Sequence, residues 1–123
     1  MDALGKPILA KLIEAFGPLR TERLQIILLG SRGEYLCDGE IAIGVERSIT
    51  SSFRPIIERA LARGAAAIVL VHNHPSGNCN PSEEDIGFTR RFAALCIPLE
   101  LYLADHLIVA GRSVFSMQRA GLL

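Results

Sequence analysis

Two histidines and a cluster of acids are the residues most able to do chemistry: His72-Asn73-His74-Pro75, then Pro81-Ser82-Glu83-Glu84-Asp85. The imidazoles stand two positions apart where an apolar run ends, and Asp85 follows eleven positions after His74. On a strand, residues i and i+2 point to one face, so His72 and His74 can converge on a single ion while Asn73 points away. Pro75 cannot donate to a sheet ladder and helps release the chain there. Three such ligands leave a fourth coordination position open, as in catalytic rather than structural zinc sites. A blander reading stays open, in which one histidine is a hydrogen-bonded core residue and the other is exposed. Ser82 and Asp85 also fit the N-cap and the acid of a capping box, in a first turn whose acids suit the helix dipole. The two readings are compatible, because a carboxylate in a first helical turn is held rigidly enough to ligate.

The elements that must position these residues follow from periodicity. Leu4, Ile8, Leu9, Leu12, Ile13 and Phe16 recur at helical spacing, and Gly17-Pro18 ends that helix. Leu24 to Leu29 reads as a buried strand and Gly30 to Gly33 as a turn. Tyr35 to Val45 reads as one or two strands, with Asp38-Gly39 as a candidate tight turn. A second helix starts near Ser51 or Ser52, carries Phe53, Ile56, Ile57, Ala60 and Leu61 on one side, and closes at Gly64. Pro55 suits its first turn. Ala65 to Val71 is a central strand running into the histidines, and Ser76 to Pro81 is loop. A third helix opens at Ser82 with Ile86, Thr89, Ala93 and Cys96 on one face. Leu99 to Leu103 and Leu107 to Val109 are strands on either side of Asp105-His106. The mixture predicts an α/β (α+β) class with helices flanking a mixed sheet.

The chain has 123 residues, enough for a single domain with one sizeable core. An apolar fraction of 50% argues for a folded globular protein. No apolar run approaches the ~20 residues needed to span a bilayer, and no signal peptide is read at the N-terminus. Formal charge is zero, with Lys and Arg dispersed, which gives no support for strong nonspecific DNA binding. Three irregularly spaced cysteines, Cys37, Cys79 and Cys96, fit a reducing compartment, so a cytoplasmic location is expected.

His72-x-His74-Pro75 with Ser82-x-x-Asp85 resembles the motif of the JAMM/MPN+ zinc metalloproteases. The fuller string, His72 to Gly77, then Pro81-Ser82-x-x-Asp85-Ile86, then Asp105 to Val109, is similar to the RadC-like branch of that family. The resemblance covers roughly residues 20 to 123, with 1–19 as a preceding helix. It implies a JAMM/MPN-like fold, similar to that of the cytidine deaminases. It also implies zinc held by His72, His74 and Asp85 with water as fourth ligand. A glutamate just before the first strand would act as general base, which Glu22 fits, with Glu46 as a lower-ranked rival. Ser82 would help stabilise the oxyanion. Read without the family, Glu22 is a solvated acid in a turn.

Asn73 is the RadC-like residue between the histidines. Phe53-Arg54-Pro55 stands where RadC-like chains usually carry Pro-Arg-Glu, and the N-terminal helix-hairpin-helix region common in such chains is not seen. The chain is therefore expected to be a short member or an isolated catalytic domain. Asp105 orienting the His106 imidazole is one reading of that pair, and a solvated acid in a hairpin loop is the other. Cys79 lacks the paired cysteines of a deaminase site and reads as incidental.

The expected function is a zinc-dependent hydrolase, a metallopeptidase or isopeptidase acting on a peptide or protein substrate. The alternative is a RadC-type, DNA-repair-associated binding module with structural or vestigial zinc. A homodimer is compatible with so short and apolar a chain, and no membrane partner is expected.

Overall fold

The computed structural model describes residues 5–43 and 53–123. Leu4, Val45, Glu46, Ser51 and Ser52 lie outside the described residues, and with them the rival base and the expected cap of the second helix.

Helix α1 (Lys6–Phe16) carries Pro7 in its first turn and buries Leu12 and Phe16, one turn apart. Its end is fixed by Gly17, where an added Cβ would run into the backbone carbonyl oxygens of Gly111 and Ile13. Gly17 has ordinary helical dihedrals, so the requirement is space. Alanine otherwise favours helix over glycine, which makes Gly17→Ala informative. Crowding two backbones should cost about 1–3 kcal/mol, seen as a lower urea midpoint at constant slope. A midpoint equal to or above wild type would show that the contact yields.

The sheet is five-stranded and mixed, in the order β2-β1-β3-β4-β5: β1 (Arg23–Leu29), β2 (Tyr35–Ile43), β3 (Ala67–Asn73), β4 (Tyr102–Ala110) and β5 (Ser113–Ser116). Neighbours are antiparallel except β3 and β4, which run parallel. A parallel pair needs a crossover, and α3 (Glu83–Cys96) with the 3-10 turn Ile97–Leu99 supplies it. Helix α2 (Arg54–Ala62) joins the two halves of the sheet and ends where Gly64 takes a left-handed conformation.

Alternation along β1 and β3 divides the core in two. Leu24, Ile26, Leu28, Ile68 and Leu70 pack under Ile56 and Ala60 of α2 and Phe88, Phe92 and Cys96 of α3. Ile27, Leu29, Val69, Val71, Leu107 and Val109 pack under Leu12 and Phe16 of α1. The β3–β4 pairing is irregular at one point. Ile68 pairs with Leu103 but Val69 pairs with Asp105, so β4 carries one extra residue, Ala104. Such a bulge resets the alternation. Leu103 faces the α2/α3 layer, whereas Leu107 and Val109 face α1, so His106 lies on the α3 side.

The class, the α1 pattern, β1, β3 and the opening of α3 agree with the sequence reading. Four details differ. Asp38 and Gly39 form no turn; they pair with Ile27 and Ile26 inside a continuous β2. Glycine is accommodated there because the Arg59 guanidinium occupies the space of its Cβ. Leu61 is exposed rather than core. Asp105-His106 is no hairpin loop but the middle of β4, with both residues buried. The closing strand β5 and the core residues Phe88 and Phe92 are not evident from the sequence pattern. Among the described residues, no helix is long and apolar enough to cross a membrane.

Candidate metal centre

The site forms where β3 ends, β1 begins and α3 starts. His72 is the penultimate residue of β3 and is fully buried; His74 lies just past the strand on the same face. Their rings meet edge to face with centroids 4.7 Å apart. Between them Asn73 points the other way and does a different job. Its Oδ1 accepts from the Arg23 backbone N–H at 2.6 Å, and its Nδ2 donates to the Thr21 carbonyl at 3.0 Å. Those two bonds bracket Glu22 and bring its Oε2 to 3.3 Å from His72 Nε2.

Asp85 serves as cap and as site residue together. Ser82 Oγ accepts from the Asp85 backbone N–H at 3.0 Å, and Asp85 Oδ2 accepts from the Ser82 backbone N–H at 2.9 Å, a complete capping box. The same carboxylate places Oδ2 3.1 Å from His74 Nε2 and Oδ1 3.7 Å from His72 Nε2. Accepting the Asp85 N–H uses a lone pair of Ser82 Oγ and leaves its proton to donate outward.

Glu22, His72 and His74 each offer one ligand atom within 4.8 Å of the others and could hold a metal ion. Asp85 adjoins the same two histidines. Ligand atoms bound at ~2.0–2.2 Å to a tetrahedral zinc stand roughly 3.2–3.6 Å from one another, close to the separations seen here. The buried His72 Nε2 has no hydrogen-bond partner among the described residues. An orphaned buried nitrogen facing two carboxylates is unfavourable by itself and suits a cation.

The electrostatics are those of a tight pair. Burial pushes the Asp85 carboxyl up, but the His74 hydrogen bond, the neighbouring His72 and the Ser82 backbone N–H outweigh it and hold it well below the usual carboxylate range. The Asp85 hydrogen bond raises His74 above an ordinary imidazole, with burial opposing and the Asn78 carbonyl assisting. His106 is pushed far down by burial and by adjacent His72.

The residues singled out in the sequence, Glu22, His72, His74, Ser82 and Asp85, thus fall in one place. Asp105 does not orient the His106 ring. Its carboxylate accepts from the backbone N–H groups of His106 and Gln118 and from Ser116 Oγ, while the ring nitrogens face His72 and Thr89. Cys79 is a free thiol in the loop. Spacing alone places Thr89 on a helix face, with nothing to mark its contact with His106.

The chain is similar in sequence to known proteins. UPF0758 protein Bpet3149 of Bordetella petrii is 40% identical over 102 residues, covering 83% of this chain and 45% of its own length. UPF0758 protein YkfG of Escherichia coli is 32% identical over 105 residues, 85% of this chain and 66% of that protein. UPF0758 protein YeeS of Escherichia coli is 35% identical over 105 residues, 85% and 71% respectively. The chain therefore spans about half to two thirds of the length of such relatives. A family described as the RadC-like JAB domain matches residues 6–122, nearly the whole chain, and on that match the protein belongs to the RadC-like JAB domain family.

Proposed function

We propose that the chain is a zinc-dependent hydrolase of peptide or isopeptide bonds, with His72, His74 and Asp85 as ligands and Glu22 as general base. One observation carries the reading: the buried His72 Nε2, without a hydrogen-bond partner among the described residues, faces Glu22 Oε2 and Asp85 Oδ1, beside His74. A family broadly related to hydrolases supports it. Asp85 suits the ligand role because the capping box fixes its carboxylate before any ion arrives. Glu22 has a longer side chain, 18% exposed, and reaches the cluster from its rim. That placement suits a group that must exchange protons with solvent.

Zinc, when bound, supplies Lewis acidity that makes water a competent nucleophile near neutral pH. Glu22 takes the proton of the attacking water on a carboxylate oxygen and returns it to the leaving amine. The Ser82 hydroxyl, anchored by its cap bond, donates to the developing oxyanion. Elemental analysis tests the metal. Wild type should hold about one zinc per chain and His74→Ala far less; equal occupancy in both would sink the ligand assignment. A peptide-library digest with zinc-loaded protein then tests the substrate class.

A further inference from the structure

His106 lies behind His72 on β4, fully buried, with both ring nitrogens in short contacts. His106 Nε2 is 2.9 Å from His72 Nδ1, and His106 Nδ1 is 2.6 Å from Thr89 Oγ1. Thr89 Oγ1 is in turn 2.6 Å from the main-chain carbonyl oxygen of Asp85. The far end of this chain fixes its direction. A carbonyl can only accept, so the Thr89 hydroxyl directs its single proton to Asp85. Toward His106 the same oxygen can then only accept, so His106 Nδ1 carries a proton. A second proton on Nε2 would make His106 a fully buried cation, which is costly. Nε2 is therefore an acceptor, and His72 Nδ1 donates to it. His72 Nδ1 is thereby committed to His106, which leaves the Nε2 lone pair, on the atom that faces Glu22 and Asp85, as the one a cation can take.

We infer that Thr89 and His106 are positioning residues that hold a proton of His72 on Nδ1 and so reserve the lone pair of its Nε2 for a cation. The use of that lone pair rests on the proposed zinc site; the proton positions do not. His74 is fixed more simply, because its Nδ1 lies 2.9 Å from the Asn78 carbonyl in the loop. His72 sits inside a strand laddered on both sides, where backbone carbonyls are already engaged. Side chains must do for it what a loop carbonyl does for His74. The relay ends on Asp85, so one residue of the first turn of α3 supplies the carboxylate to the cluster and the acceptor that orders the protons behind it.

The test uses the 123-residue chain. In metal-free, 15N-labelled protein, long-range proton–nitrogen correlation should show His72 and His106 both protonated on Nδ1, with His106 bare on Nε2. A His72 bare on Nδ1 would overturn the inference. Removing the hydroxyl with Thr89→Val frees His106 to change tautomer and should weaken zinc binding roughly 10–100-fold in chelator competition, with Thr89→Ser restoring it. A folded Thr89→Val that binds zinc as wild type does would equally overturn it. If Thr89→Val does not fold, the wild-type spectrum decides. If wild type takes up no zinc, the proposed zinc site fails, and the spectrum still decides the proton positions.

Discussion

Glu22→Gln leaves zinc binding intact and lowers hydrolysis by roughly 10²–10⁴-fold, the usual contribution of a positioned general base. Glutamine keeps the length and shape of the side chain, and the two Asn73 bonds that bracket position 22 involve only backbone groups of Thr21 and Arg23. The change removes the capacity to accept a proton while sparing the packing. Zinc titration beside turnover of a library-derived peptide makes the measurement, and it separates two arrangements. Glu22 lies 3.3 Å from His72 Nε2, nearer than the 3.7 Å of Asp85, so a purely geometric reading admits Glu22 as the third ligand. In that case Glu22→Gln would lose zinc and activity together. Unchanged turnover with zinc retained would remove Glu22 from the reaction altogether.

Asp85→Ala should weaken zinc binding by more than about 100-fold, since residues that merely orient metal ligands already contribute 10–100-fold. It should also destabilise the fold by about 1 kcal/mol through the broken capping box. Ser82→Ala separates the two effects, because it loses a similar capping contribution but keeps the carboxylate. Zinc affinity should therefore fall in one variant and hold in the other. If both bind zinc like wild type, Asp85 is a cap and nothing more. The sign of the pH dependence follows from the pair. Asp85 has a depressed pKa, so its contribution to stability is present above the ordinary carboxylate range and is lost as pH falls through the depressed value. His74 has a raised pKa, so its contribution is complete below the ordinary imidazole value and is lost as pH rises through the raised one. The metal-free pair is strongest between those limits. An entering cation must displace the proton of His74, so zinc affinity should rise with pH across that upper limit.

How much of the site is legible in the sequence depends on how local each determinant is. Strand parity puts His72 and His74 on one face, and the Ser82–Asp85 spacing announces a helix start; both are short-range and both hold. Glu22 is a different case. Nothing around it is distinctive, and it reaches the histidines through Asn73, about fifty positions away along the chain. The two offices of Asn73 are invisible for the same reason: its spacing shows only that it points away from the face of the two histidines. His106 is misread because an Asp-His pair between two apolar runs looks like a hairpin tip. In the fold the parallel partner β3 covers it on one side and β5 lies along the other, and burial by a neighbouring strand leaves no local trace. Phe88 and Phe92 escape notice on α3 because the helix carries a polar first turn and a glycine, which dilute its apolar stripe.

The extra residue at Ala104 gives the site a requirement that no side-chain substitution would reveal. A ladder that ran on from Leu103 without the bulge would keep every residue of the sequence but pair Val69 with Ala104 in place of Asp105. It would also exchange the inside and outside of the rest of β4. His106 would turn toward α1, and Leu107 would come to lie against His72. The centre is thus specified by counting as well as by composition: a frame set by one unpaired alanine decides whether His106 or a leucine stands behind His72.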